Sequence, residues 1–280
     1  MTSATDRFLS VRDMRFHYLE HGADRGRAPM LCFHGITQTA HSWDEVAAPL
    51  AADRRVLCFD QRGHGDSDWA ADAMYTRQEM ATDIAALASA LALPPAVVVG
   101  MSMGGINSMT FTAGHPERVA ALVVVDVSPE VKREGVDSIR RFVQAADVLE
   151  SFEAFVDRAH AFNPRRSRAN IESRLRHNLK QLADGRWTWK YDPQLRSPQR
   201  PLGSGLTANL WDDVAAIRCP TLILRGAESD ILAPEAAAKL QQAIAGSELV
   251  EIPKAGHSVM GDNPGAFVAA VEEFLSKRGL

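Results

Sequence analysis

The 280-residue chain is poor in cysteine and has no long apolar run. Its three cysteines, Cys32, Cys58 and Cys219, are an odd number, and each sits in or beside an apolar stretch. That excludes a disulfide scaffold and leads us to expect buried, reduced thiols in a reducing, cytoplasmic compartment. No run approaches the roughly 18 apolar residues of a membrane helix, and Val119–Val125 is only strand-sized. The opening Met1-Thr-Ser-Ala-Thr-Asp-Arg7 lacks the apolar core of a secretory signal. There is also little excess charge: 31 Lys and Arg against 35 Asp and Glu leave −4. A mildly acidic chain carries no electrostatic signature of nucleic-acid binding. At 46% hydrophobic and 24% charged, it reads as an ordinary globular protein, long enough for one large domain or two small ones. The expected partner is a small molecule rather than a nucleic acid or a membrane. Nothing fixes an oligomeric state.

The first half alternates short apolar runs with helix signals. Met30–Phe33 ends at His34-Gly35, Val56–Phe59 at Asp60, Ala96–Val99 at Gly100 and Ala120–Val125 at Asp126. Continuous rather than alternating runs are those of parallel strands covered on both faces. Ser42-Trp-Asp-Glu45 and Thr76-Arg-Gln-Glu79 read as capping boxes. The βαβα rhythm predicts a parallel sheet between helices. From Val127 to Leu206 the pattern turns helical, Arg-rich and devoid of strand-like runs. It resumes at Pro220–Arg225, with a helix near Pro234–Ile244, a strand at Glu248–Ile252 and a closing helix near Pro264–Lys277. The interrupting segment carries fifteen Lys and Arg against ten Asp and Glu. This excess could bias an anionic substrate toward the site, although solvated helix faces account for it more simply.

Gly100-Met-Ser102-Met-Gly104-Gly105 follows a strand and opens a helix-like stretch, the strand–turn–helix context of a nucleophile elbow. A strained turn lifts the Ser102 hydroxyl above the sheet's carboxyl edge. The residues two before and two after must be small, because side chains there would strike neighbouring backbone. A dinucleotide fingerprint needs glycine where Ser102 stands, and a Walker loop needs Gly-Lys-Ser/Thr.

A serine hydroxyl needs a base, and histidine suits. Of nine histidines, His257 lies in a loop between the last strand and the last helix, beyond the carboxyl edge where catalytic groups gather. His17 and His21 belong to an early strand, and His160 and His177 to the interrupting helices. The imidazole needs an orienting carboxylate. Asp230, in the loop after the penultimate strand, completes the chain order Ser102, Asp230, His257. Asp126 is the runner-up and Glu228 the third choice. Two oxyanion donors are expected: the amide of Met103, and that of Ile36, which Gly35 lets turn toward the site. His34 reads as a structural hydrogen-bonding residue.

These motifs resemble the α/β-hydrolase superfamily over nearly the whole chain, in the branch with a helical cap. The matching segments are His34-Gly35, Asp60–Ser67, Gly100–Gly105, the Asp230 loop and Gly256-His257. The resemblance implies an α/β-hydrolase fold: a mostly parallel sheet flanked by helices, with a cap inserted after the sixth strand. Residues 1–126 and 207–280 would form the core domain and residues 127–206 the cap. It also implies that Asp60–Asp68 is a structural loop with an internally paired Arg62 rather than a metal site.

Sister families that attack with aspartate carry it where Ser102 stands, so the resemblance favours an acyl-enzyme route. Trp187-Thr-Trp189-Lys-Tyr-Asp-Pro193 resembles a cap segment of small esterases and lactonases, which makes Trp187 a candidate substrate contact. The implied activity is that of a serine hydrolase acting on a small carboxylic ester or lactone, with no cofactor and no metal. The alternatives are a C–C bond hydrolase of a ring-cleavage diketone and a ligand receptor on the same fold.

Overall fold

The computed structural model describes residues 4–196 and 207–280. Two antiparallel strands, β1 (Thr5–Val11) and β2 (Met14–His21), precede β3 (Met30–Phe33). Helix α1 (Asp44–Leu50) leads to β4 (Val56–Phe59), and α2 (Arg77–Ala90) leads to β5 (Ala96–Met101). Helix α3 (Met103–Gly114) then leads to β6 (Val119–Val125). Between β6 and the next core strand lie α4 (Arg133–Val143), β7 (Val148–Leu149), α5 (Phe152–Phe162) and α6 (Arg168–Asn178). After them come β8 (Leu179–Gln181), β9 (Trp187–Trp189) and α7 (Leu210–Ala216). The core closes with β10 (Thr221–Gly226), α8 (Pro234–Ala243), β11 (Glu248–Ile252), α9 (Val259–Asp262) and α10 (Pro264–Ser276).

Eight strands form one sheet in the order β1-β2-β4-β3-β5-β6-β10-β11. It is parallel from β4 to β11 and antiparallel at the β1–β2–β4 edge. The unbroken apolar runs are explained by burial on both faces. Cys32, Cys58, Val97, Val99 and Val123 face one core with α1 and α10, whereas Leu31, Leu57, Val98 and Val124 face another with α2 and α3. With a period of two, β3, β4, β5 and β6 each supply both cores and leave no charged or hydroxyl-bearing position.

The segment after β6 departs from its all-helical reading. β7, β9 and β8 form a small antiparallel sheet that was hidden by their length of two or three residues. Together with α5 and α6 they enclose a separate apolar cluster around Phe155, Val156 and Trp189. Helix α7 packs back on the core through Leu210 and Val214. The expected end of the cap at residue 206 lies outside the described residues. Thr76 does cap α2, its side chain accepting from the Glu79 amide at 3.2 Å. Ser42 caps nothing, because a 3-10 turn at Ala40–Trp43 runs directly into α1. Among the described residues, no helix is long and apolar enough to cross a membrane.

Candidate active site

Ser102 lies one residue past β5, with φ 53° and ψ −119°. Such a backbone is strained for any residue bearing a Cβ, and surrounding structure has to impose it. The two glycines flanking the turn make the packing possible. A Cβ on Gly100 would meet Ser108 Oγ at 2.5 Å and overlap the Gly104 carbonyl. One on Gly104 would overlap the Phe33 carbonyl and come within 2.7 Å of the His34 oxygen. The elbow is therefore pressed against the end of β3, bringing the His34–Thr37 loop to Ser102. Gly35 has no room for a side chain beside Met101, and Ser102 Cβ would stand 3.3 Å from it. His34 anchors this loop from below: its Nδ1–H donates to the Gly35 carbonyl at 2.7 Å, while Nε2 accepts from the Gln61 amide at 3.1 Å. Burial lowers the His34 pKa, which suits this neutral, bridging role.

His257 is partly buried in the loop after β11. Its Nδ1–H donates to Oδ2 of Asp126 at 2.8 Å. This corrects the expectation that Asp230 faces the imidazole. Asp230 is exposed on the rim of the cavity described below, whereas Asp126 has no solvent exposure. The reason is sheet register. Met101 pairs with Val125, and Val125 with Leu224, so Ser102 and Asp126 emerge side by side from adjacent strands. Beyond β10 the chain turns back at once, Ser229 N donating to Gly226 O at 3.0 Å, and Ser229 rather than Asp230 points inward. Asp126 is further held by the Gly226 amide on Oδ1 at 2.9 Å and by Ser229 Oγ on Oδ2 at 2.5 Å. Ser229 Oγ in turn accepts from the amides of Ile231 and Leu232. Its hydroxyl proton is therefore committed to Asp126. Ser229 is a positioning residue that sequence reasoning missed, since a serine in a turn carries no signal of its own. Glu228, the third choice, pairs with Arg165 at 2.8 Å.

The Met103 amide opens α3, where the first N–H groups have no intrahelical acceptor. Among the described residues, neither this amide nor that of Ile36 donates to a protein acceptor. Ser102, His257, Ile36 and Gly35 share a cavity of about 230 Å³ roofed by Ile139, Phe142 and Leu175. Trp187 is absent from its lining. It packs edge-on against Phe152, ring centroids 5.3 Å apart, at the far end of β9. Trp189, two residues on, lines the cavity instead.

The Asp60 loop is a structural knot. Asp60 accepts from Ala40 N at 2.6 Å, from His17 Nδ1 at 2.7 Å and from Asp66 N at 2.9 Å. Arg62 is paired outside the loop rather than within it, forking onto Asp83 of α2.

The family profile described as alpha/beta hydrolase fold matches residues 28–264, and the chain belongs to that family. It is 33% identical over 263 residues to the esterase Rv0045c of Mycobacterium tuberculosis, covering 90% of this chain and 85% of that protein. The crystal structure of an alpha/beta hydrolase from Novosphingobium aromaticivorans superposes with a TM-score of 0.85 at 33% identity, covering 99% of each chain. That of E-2-(acetamidomethylene)succinate hydrolase gives 0.89 at 26% identity, over 98% of this chain and all of the other. The chain is a hydrolase of this family.

Proposed function

We propose that the protein is a serine hydrolase that cleaves a small carboxylic ester or lactone through an acyl-enzyme. The observation that carries this reading is the hydrogen bond from His257 to the fully buried Asp126, beside a strained serine that opens onto the same cavity. With Nδ1–H held by Asp126, the Nε2 lone pair of His257 is free to take the Ser102 proton. Ser102 Oγ attacks the substrate carbonyl, and the Ile36 and Met103 amides bind the developing oxyanion. His257 then gives its proton to the leaving alcohol, or to the ring oxygen of a lactone. Water deprotonated by the same imidazole attacks the acyl-enzyme, releasing the acid and regenerating Ser102. These steps use protein groups and water alone. A reducing, cytoplasmic setting suits the three free thiols, of which Cys32 and Cys58 are buried register partners on β3 and β4.

The test is turnover of a panel of 4-nitrophenyl esters and γ- and δ-lactones, with intact-protein mass spectrometry after a slow substrate. Steady hydrolysis and an acyl adduct on the Ser102 peptide are expected. Binding without turnover would favour a receptor, and turnover confined to dienoate diketones would favour a C–C hydrolase.

A further inference from the structure

Three arginines line the cavity, and two of them have carboxylate partners. Arg165 pairs with Glu228 at 2.8 Å and Arg166 with Asp262 at 2.8 Å. Arg174, on α6, forms no ion pair or hydrogen bond among the described residues. The carboxylates whose charge reaches it are engaged elsewhere: Asp262 with Arg166, Asp44 with His41 at 2.9 Å, and Glu45 with Asn170 at 2.7 Å. Arg174 is also crowded by a like charge. The Arg166 and Arg174 guanidinium groups both lie on Gly261, where a Cβ would come within 2.5 Å of Arg174 Nη1 and overlap Arg166 Nη2. Burial, and then the Arg166 charge, push the Arg174 pKa down to about 9. A half-buried cation with no counter-ion is costly unless something supplies one. Asp230, the other carboxylate of the lining, is exposed and forms no ion pair with Arg174 among the described residues. Its backbone packs on Gly135 of α4, whereas Arg174 lies against α9.

We infer that Arg174 anchors a carboxylate-binding subsite, so that the ester or lactone cleaved here carries a carboxylate remote from the scissile bond. This rests on the hydrolase reading for the word substrate, but not for the binding of the anion. The guanidinium fork matches a carboxylate in two parallel hydrogen bonds and remains charged at neutral pH. The anion completes the Asp262–Arg166–Arg174 array by adding the missing negative charge.

Two measurements separate the inference from the reading beneath it. The first is kcat/KM for mono-4-nitrophenyl adipate relative to 4-nitrophenyl pentanoate, which differ in the terminal carboxylate. A general disturbance of the pocket moves both esters, so the ratio is the readout. It should exceed one in the unmodified protein, fall about 10- to 100-fold in Arg174→Gln, and be partly retained in Arg174→Lys. The second is calorimetric binding of adipate to Ser102→Ala protein, with and without Arg174→Gln, which needs no turnover. Saturable binding lost with Arg174→Gln supports the subsite even if neither ester is cleaved, a result that would sink the ester reading alone. A ratio unmoved by Arg174→Gln, or adipate binding undiminished by it, overturns the inference while leaving hydrolysis of the neutral ester standing.

Discussion

Asp126 and His257, separated by 131 positions in the chain, meet through a 2.8 Å hydrogen bond from the imidazole Nδ1–H to Oδ2 of the carboxylate. The partnership predicts that Asp126→Asn is far more damaging than Asp230→Asn. An amide of the same shape can hold the ring in the tautomer that presents N–H rather than a lone pair to Ser102. The analogous change in a well-studied triad lowers kcat about ten-thousandfold. Asp230→Asn removes an exposed charge from the cavity rim and should cost less than about tenfold. Measuring kcat of both variants on one good ester decides the matter, and equal losses would remove Asp126 from the role.

Ser229→Ala tests the support behind that carboxylate. Its hydroxyl donates to the same Oδ2 that receives the imidazole, so its loss lets the carboxylate swing and leaves the Ile231 and Leu232 amides short of an acceptor. A drop in kcat of about ten- to a hundredfold with KM little changed is expected, in keeping with the usual effect of removing an outer orienting group. Ser229→Thr, which keeps the hydroxyl, should recover part of it. No difference between the two variants would make Ser229 merely a turn residue.

How much of this was legible beforehand follows from where each signal lay. The elbow was readable because Gly100, Ser102 and Gly104 are nearly contiguous, and steric exclusion acts over two residues. The place of His257 beside the cavity was readable because only one histidine follows the last strand. The carboxylate that meets its imidazole was not, because Asp126 and Asp230 both end or follow strands, and the choice between them depends on the Met101–Val125–Leu224 register, which is a property of strand pairing. Chain order favoured Asp230, whereas the imidazole meets Asp126. The small β7-β9-β8 sheet escaped because two- and three-residue strands have no periodicity to read. Arg174 stands out only by lacking a partner among the described residues, and pairing is invisible until the chain is folded.

Ser102→Ala should lose about a millionfold in kcat, since nucleophile and base act as one unit. Alanine keeps the Cβ and hence the same strained φ of 53°, so the melting temperature should shift by no more than a few degrees. More than a few per cent residual activity in a clean preparation would refute the assignment.

Two glycines of α3 should behave in opposite ways when replaced by alanine. In Gly104→Ala the new methyl overlaps the Phe33 carbonyl at the end of β3. Backbone must move, at a cost of about 1–3 kcal/mol or more, and the His34–Thr37 loop moves with it. Both stability and kcat should fall. At the other end of the helix, a methyl on Gly114 would enter open space, with no neighbouring atom within 4 Å. Gly114→Ala should therefore stabilise by about 0.4–1 kcal/mol with activity intact. Urea denaturation of the pair reads both signs, and a stable, active Gly104→Ala would mean the elbow is not pressed on β3.

The last prediction concerns acid sensitivity and rests on His64, which is fully buried beside the His34 ring at 5.0 Å between centroids. Its Nδ1–H donates to the Arg62 carbonyl at 3.0 Å, and Nε2 is buried with no hydrogen-bond partner among the described residues. Burial foremost, and then the His34 charge, lower its pKa from 6.5 to about 3. A histidine whose folded pKa lies below its unfolded value binds a proton more readily when the chain is unfolded. Its contribution to stability is therefore present above pH 6.5 and is lost as pH falls toward 3. Between pH 7 and pH 5 the folded state stays neutral while the unfolded state becomes protonated, which costs about 2 kcal/mol by linkage. His64→Gln has no proton to gain. Whatever it does to stability at pH 7, it should lose less on going to pH 5 than the unmodified protein does, because only the remaining histidines and carboxylates still titrate. Urea denaturation at the two pH values gives both differences, and equal losses would show that His64 does not carry this share of the acid sensitivity.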